Sequence, residues 1–203
     1  MTWLLLSGLV VFAIVASITP GPNNMMLMAS GAHFGLRRTV PHVLGVILGF
    51  GLMVLLVGWG LVGILLTLPV VFQAIRWAGG VYLLFLAFKI ATAHGIGGGA
   101  PRGQPLTFLQ AAGFQWVNPK AWAMALGADA TYAPHDHIVL NITLIALVFT
   151  LVGAPCVSAW AVFGVGIKRV LHRPLALRAF NLGMALLLVL SLYPLLTERL
   201  GRA

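Results

Sequence analysis

Along the chain, residues 1–36, 39–75, 137–167 and 179–197 contain no Asp, Glu, Lys or Arg. Each run exceeds the roughly 18 apolar residues that mark a membrane-spanning helix. Segment one, residues 3–18, meets Thr19-Pro20-Gly21-Pro22-Asn23-Asn24, resumes over residues 25–34 and is closed by Arg37 and Arg38. This predicts a discontinuous helix, or a helix followed by a re-entrant half. Segments two (residues 43–66) and three (residues 72–93, with Arg76 near its start and Lys89 near its end) read as continuous helices. Residues 94–105 hold Gly-Ile-Gly-Gly-Gly-Ala-Pro-Arg-Gly-Gln-Pro, a linker without apolar periodicity. Segment four (residues 106–132) is interrupted by Asn118-Pro119-Lys120, segment five covers residues 141–166 with Pro155 inside, and segment six covers residues 175–196.

Composition sharpens this picture. Of 203 residues, 61% are hydrophobic and 7% charged, against roughly 45–50% and 25% in a soluble domain. Six spans of about 20 residues leave about 80 residues for connections, too few for a soluble catalytic domain. No basic residue precedes Trp3, and the first apolar run passes into a proline-rich break rather than a small-residue cleavage site, so it reads as a retained helix. The lone cysteine, Cys156, has no partner for a disulfide and reads as a packing residue.

The 12 Lys and Arg outnumber 3 Asp and Glu, yet they lie at the ends of apolar segments, which points to membrane orientation rather than to nucleic acid. With the N-terminus outside, the inner loops receive Arg37, Arg38, Lys89, Arg102, Lys168, Arg169, Arg173 and Arg178. The outer side receives Arg76, Arg199 and Arg202 with Asp129, Asp136 and Glu198, so both termini are expected on the non-cytoplasmic face.

The halves repeat one order: broken helix, long helix, long helix. An offset of 96 residues also aligns Met28-Ala29-Ser30-Gly31-Ala32 with Met124-Ala125-Leu126-Gly127-Ala128. The expected fold is an all-α integral membrane protein of one transmembrane domain, residues 1–203. Its six transmembrane helices form two inverted three-helix repeats with broken first helices, residues 1–93 and 106–203, joined by the linker at 94–105.

Proline lacks a backbone donor and disfavours helix in the preceding residue, so the stretch from Thr19 to Pro22 cannot be continuous helix. Freed carbonyls are tolerated in a membrane where they line an enclosed cavity, which in transporters lies at the repeat interface. Asn118 and Pro119 read as the N-cap and first residue of a half-helix; Thr19 or Gly21 can cap another that begins at Pro20 or Pro22. Both would aim free amides into the cavity. Lys120, near the start of its half-helix, is a cation at the unfavourable dipole end, in a stretch otherwise uncharged from 103 to 128. A bound carboxylate would offset this, with Asn23, Asn24, Gln115 and Asn118 as neutral partners for an amino group. The competing readings are ordinary proline kinks, plain capping by Asn23 and Asn118, and a Lys120 that snorkels to the interface.

Other signals are weaker. His135-Asp136-His137 reads as a solvated turn rather than a metal trio. His33 and His42 flank the Arg37-Arg38 pair, as proton relays or as interfacial side chains. Asp129 is the carboxylate nearest the membrane interior and the acid available for proton coupling. Gly45 to Gly49 and Gly31 to Gly35 carry small-residue spacing that serves internal packing first and a homodimer second. Trp59, Trp77, Trp160 and Tyr193 read as belt or packing aromatics. No phosphate-cradling loop, catalytic triad or carboxylate pair is present, so no enzyme chemistry, metal or cofactor is expected.

Thr19-Pro20-Gly21-Pro22-Asn23-Asn24, Gly35-Leu36-Arg37-Arg38 and Leu44-Gly45-Val46-Ile47-Leu48-Gly49 resemble the LysE/RhtB family of amino-acid exporters. Residues 77–89 are similar to that family's third span. Phe114-Gln115-Trp116-Val117-Asn118-Pro119-Lys120 resembles its second-half motif, with a Gln-x-Val-Asn pattern most like the cysteine and O-acetylserine exporter branch. The resemblance implies a multi-pass exporter of amino acids or close derivatives in the inner (cytoplasmic) membrane, driven by the proton gradient. It carries a functional expectation to Pro20, Gly21, Pro22, Asn23, Asn118, Pro119 and Lys120. A cation exporter, an integral-membrane enzyme and a non-transporting membrane scaffold are the alternatives; an intramembrane lysine without a central carboxylate speaks against a cation site.

Overall fold

The computed structural model describes residues 1–61, 69–92, 104–134, 136–167 and 174–190, and every regular element among them is helical. Most of the glycine-rich linker with Arg102, the ends of predicted segments two and six, His135, Lys168, Arg169, Arg173, Tyr193, Glu198, Arg199 and Arg202 lie outside the described residues, as do the side chains of Arg76 and Lys89.

Helix α1, Trp3–Ile18, starts where the Thr2 hydroxyl accepts from Leu5 N. It stops at Thr19, whose extended backbone (φ −64°, ψ 145°) is what a following proline demands. Helix α2, Pro22–Phe34, resumes after a bend of 53°, with Gly21 as N-cap and Pro22 at the first position. Thr19 therefore closes the first half-helix rather than capping the second. Residues 24–32 of α2 are buried on every side, which makes it the central rod of the bundle.

One residue, Gly35, turns the chain into α3, Leu36–Leu56, and its φ of 78° is a conformation that glycine adopts without penalty. Arg37 and Arg38 thus lie in the first turn of α3 instead of a loop, with the Arg38 guanidinium over the Phe34 ring. Segment two is also less regular than expected. It passes at Val57–Leu61 into a π-helical turn in which Gly60 takes φ 103°. The signal was Gly58-Trp59-Gly60, two glycines that weaken the helix at its end.

Helix α4 is Pro69–Ala91, and α5 is the short Phe108–Phe114, started by a reciprocal capping box between Thr107 and Gln110. A 3-10 turn, Gln115–Val117, leads to α6, Pro119–Tyr132. Helices α7, Ile138–Ile167, and α8, Pro174–Leu190, complete the described chain.

The packing pairs helices across the two halves. Helix α2 lies along α7, α3 crosses α7, and α4 packs on α8, while α1 rests on α7 and α5 on α3. Small residues set these approaches. A Cβ at Gly31 would strike the Ala161 carbonyl and one at Gly164 the Met28 carbonyl, which fixes how close α2 and α7 come. A Cβ at Gly49 would lie 2.5 Å from Ala112 Cα, and one at Gly45 would strike the Phe108 carbonyl. The small-residue motif of α3 is therefore occupied by α5 inside the chain.

Outward faces carry Leu44, Leu48 and Leu52 on α3 and Leu147 and Leu151 on α7, all exposed. Among the described residues, Leu36–Gly60 and Ile138–Ile167 are long and apolar enough to cross a membrane. The bent pair Trp3–Ile18 and Pro22–Phe34 makes a third if taken as one span.

Candidate functional site

The two breaks meet. Lys120, second residue of α6, extends its ammonium to the end of α1, donating to Thr19 O at 2.7 Å, Thr19 Oγ1 at 2.8 Å and Pro20 O at 3.3 Å. Its position at the start of a helix is unfavourable for a cation, but the end of α1 presents the negative end of another helix. The stem reaches across because Gly21 has no side chain: a Cβ there would lie 2.6 Å from Lys120 Cδ and 3.2 Å from Nζ.

The carbonyls that the first break frees are satisfied within the protein, as a non-aqueous setting requires. Asn24 Nδ2 donates to Ser17 O and to Thr19 O, both at 2.8 Å, and Trp160 Nε1 donates to Ile18 O at 3.1 Å. The Asn24 amide nitrogen, expected to serve a substrate, is thus committed to the break. Trp160, read as a belt or packing aromatic, is a partner of the break as well.

A second bridge is neutral. Asn23 Nδ2 donates to Gln115 Oε1 at 2.8 Å and Gln115 Nε2 returns a bond to Asn23 Oδ1 at 3.2 Å, with another to Ala111 O. Gln115 is fully buried, so this reciprocal amide pair joins the halves where an unpaired amide would be costly. Asn118, also buried, caps α6 by accepting from Lys120 N at 3.1 Å. The start of α2 differs, since no side chain caps its first amides.

Between the breaks lies a cavity of about 50 Å³. Gly21, Asn23, Asn24, Asn118 and Lys120 form its polar part, and Val46, Phe50, Met124 and Phe149 an apolar wall. These wall residues escaped sequence reasoning because they come from three different helices without a shared motif. Pro20, Pro22 and Pro119 shape the backbone around the cavity, and Gln115 stands behind Asn23.

The proton-coupling candidates lie apart from the cavity. His42 is buried in α3 instead of at an interface, with neither ring nitrogen hydrogen-bonded. His33 is half-buried near the end of α2 beside Phe34. Both carboxyl oxygens of Asp129 are buried without a hydrogen-bond partner, one of them facing Gly58 in the π-helical turn. Asp136 and His137 are exposed, and the described residues contain no group of three metal-ligating side chains.

Residues 14–197 match the family model described as LysE type translocator. Cysteine/O-acetylserine efflux proteins of Salmonella choleraesuis (strain SC-B67) and Salmonella typhimurium (strain LT2) are 30% identical over 190 residues, covering 93% of this chain and 96% of each relative. The protein of the same description in Escherichia coli (strain K12) is 29% identical over the same length. No solved structure matches. With the family model spanning nearly the whole chain and relatives aligned end to end, the chain belongs to the LysE family of translocators and is a transporter rather than an enzyme.

Proposed function

We propose that the protein exports small neutral amino acids or close derivatives, such as cysteine or O-acetylserine, across the cytoplasmic membrane. The observation that carries this is the contact of Lys120 with the first break, which brings a cation, an uncapped helix start and a cavity to one place. The substrate carboxylate binds at the start of α2, beside Lys120, because α6 already has Asn118 as its cap. A cavity of about 50 Å³ holds roughly three to five water-sized spheres. That suits a cysteine-sized molecule, and the apolar wall of Val46, Phe50, Met124 and Phe149 offers no partner to the side-chain cation of lysine or arginine. No carboxylate is among the lining residues, which speaks against a cation as cargo.

The architecture that goes with this is six spans in two inverted repeats, both termini outside, with exposed leucines facing lipid in the inner membrane. Part of the packing supports this: exchanging α1, α2, α3 and α4 for α5, α6, α7 and α8 turns the α1–α7 contact into α5–α3 and returns α3–α7 and α4–α8 to themselves, whereas the extensive α2–α7 contact has only a slight counterpart between α6 and α3. Export is driven by protons, with Asp129 as the coupling group, since a buried carboxyl without a donor is a natural seat for a proton. The test is counterflow in proteoliposomes with labelled serine, cysteine, leucine, lysine and glutamate. Serine and cysteine are expected to exchange and lysine and glutamate to fail; equal transport of lysine would overturn the cavity's role. Labelling of a cysteine placed at Thr2, in a Cys156→Ala background, is expected from outside, and protection there contradicts the topology.

A further inference from the structure

The oxygens that Lys120 meets have nothing to donate. Two are carbonyls, of Thr19 and Pro20, and the third, the Thr19 hydroxyl, gives its own hydrogen to Ala16 O at 3.0 Å. Toward Lys120 it therefore acts as an acceptor. An ammonium is the complement, with three hydrogens and no lone pair, and here its hydrogens are matched by three oxygens. A carboxylate brought to these oxygens would meet lone pairs alone. The Thr19 carbonyl is also held by Asn24 Nδ2 at 2.8 Å, a bond that does not involve Lys120 and fixes the carbonyl's aim.

The neighbouring surface has the opposite character. The first turn of α2 carries no side-chain cap, and its amides stand at the positive end of a 13-residue helix. An acceptor-only oxygen set and a donor-only helix start therefore lie on the two sides of Gly21, which lines the cavity together with Lys120. Together they match the two ends of a zwitterion.

We propose that the Thr19 and Pro20 oxygens are the subsite for the substrate's α-ammonium, and that Lys120 fills this subsite while no substrate is bound. When an α-amino acid arrives, the two ammonium groups exchange places. The substrate's ammonium takes the oxygens, and Lys120, with its N–H groups released, turns to the substrate's carboxylate. The oxygens keep a cation throughout, and the lysine never lacks an acceptor. This deepens the amino-acid reading above and rests on it: that reading concerns the carboxylate and the cavity's size, whereas this one requires a free α-amine.

The test is competition against labelled L-cysteine counterflow by the wild-type protein, which needs no variant to fold. L-serine is expected to compete, while glycerate, its α-hydroxy counterpart, and N-acetyl-L-serine should be at least tenfold weaker. Glycerate competing within twofold of serine would overturn the ammonium subsite and leave the amino-acid reading intact; absence of any cysteine counterflow would remove both. A second measurement involves no transport. Methylammonium at millimolar concentration is expected to raise the melting temperature of Lys120→Ala by a few degrees. It should not do so for wild type, and the shift should be smaller in Lys120→Ala combined with Thr19→Val, which keeps the two carbonyls but loses the hydroxyl. An unshifted Lys120→Ala, or an equal shift in the double variant, contradicts the subsite.

Discussion

Gly21→Ala is the sharpest steric probe of the contact between the breaks. Gly21 has φ −177°, an extended conformation that alanine adopts without strain, so the substitution leaves the backbone preference alone. The new Cβ falls 2.6 Å from Lys120 Cδ, and ordinary contact begins at 3.4 Å, so the stem must retreat by about 0.8 Å. That stretches the bonds of 2.7 and 2.8 Å to about 3.5 Å, where a hydrogen bond ceases to count. Charge-assisted bonds contribute about 1.5–3 kcal/mol each when buried, but Thr19 and Pro20 are exposed, so the combined loss is about 1–2 kcal/mol. The expected result is a melting temperature lower by roughly 2–8 °C, with serine counterflow altered because Gly21 and Lys120 both line the cavity. Gly113→Ala is the control, because a Cβ there meets nothing within 4 Å. Wild-type flux and melting in Gly21→Ala would refute the claim that Lys120 must lie across the break.

Asn118→Ala removes the cap of α6 and should lower stability by about 0.5–2 kcal/mol, with Asn118→Ser recovering most of it in a thermal melt. The reciprocal amide pair makes Asn23→Ala and Gln115→Ala non-additive; a double-mutant cycle on unfolding should give a coupling of about 0.5–3 kcal/mol, and additivity would deny the pair. Asp129→Asn keeps the shape and removes the titratable proton, so it should retain substrate exchange while losing uptake driven by an imposed proton gradient. Gradient-driven uptake equal to wild type would exclude Asp129 from coupling.

The sequence made the breaks legible because their chemistry is local. Proline constrains the residue before it, so Thr19 had to be extended, and Asn-Pro at 118–119 carries its own capping geometry. The inference that Lys120 needs compensation was also local, but its partner was not. A sequence reading supplies a bound anion, and the structure supplies the end of α1, 101 positions away, through the absent side chain of Gly21. The structural work of Asn24 was hidden for a related reason: the carbonyls that its amide nitrogen satisfies are located only once α1 and α2 are placed together. The π-helical turn at Val57–Leu61 was hidden within an apolar run in which only two glycines marked a change. The cavity wall of Val46, Phe50, Met124 and Phe149 has no signature along the chain, since it exists only once α3, α6 and α7 are packed.

The central claim is that the joined breaks form the substrate site, and Lys120→Ala tests it most directly. Counterflow of labelled serine is measured in proteoliposomes holding equal amounts of wild-type and variant protein, each shown to be folded by a cooperative melt. Saturable exchange in wild type, lost by at least tenfold in Lys120→Ala, is the predicted result. Unchanged kinetics in the folded variant would mean that the substrate passes elsewhere and that Lys120 serves only to hold α1 and α6 together.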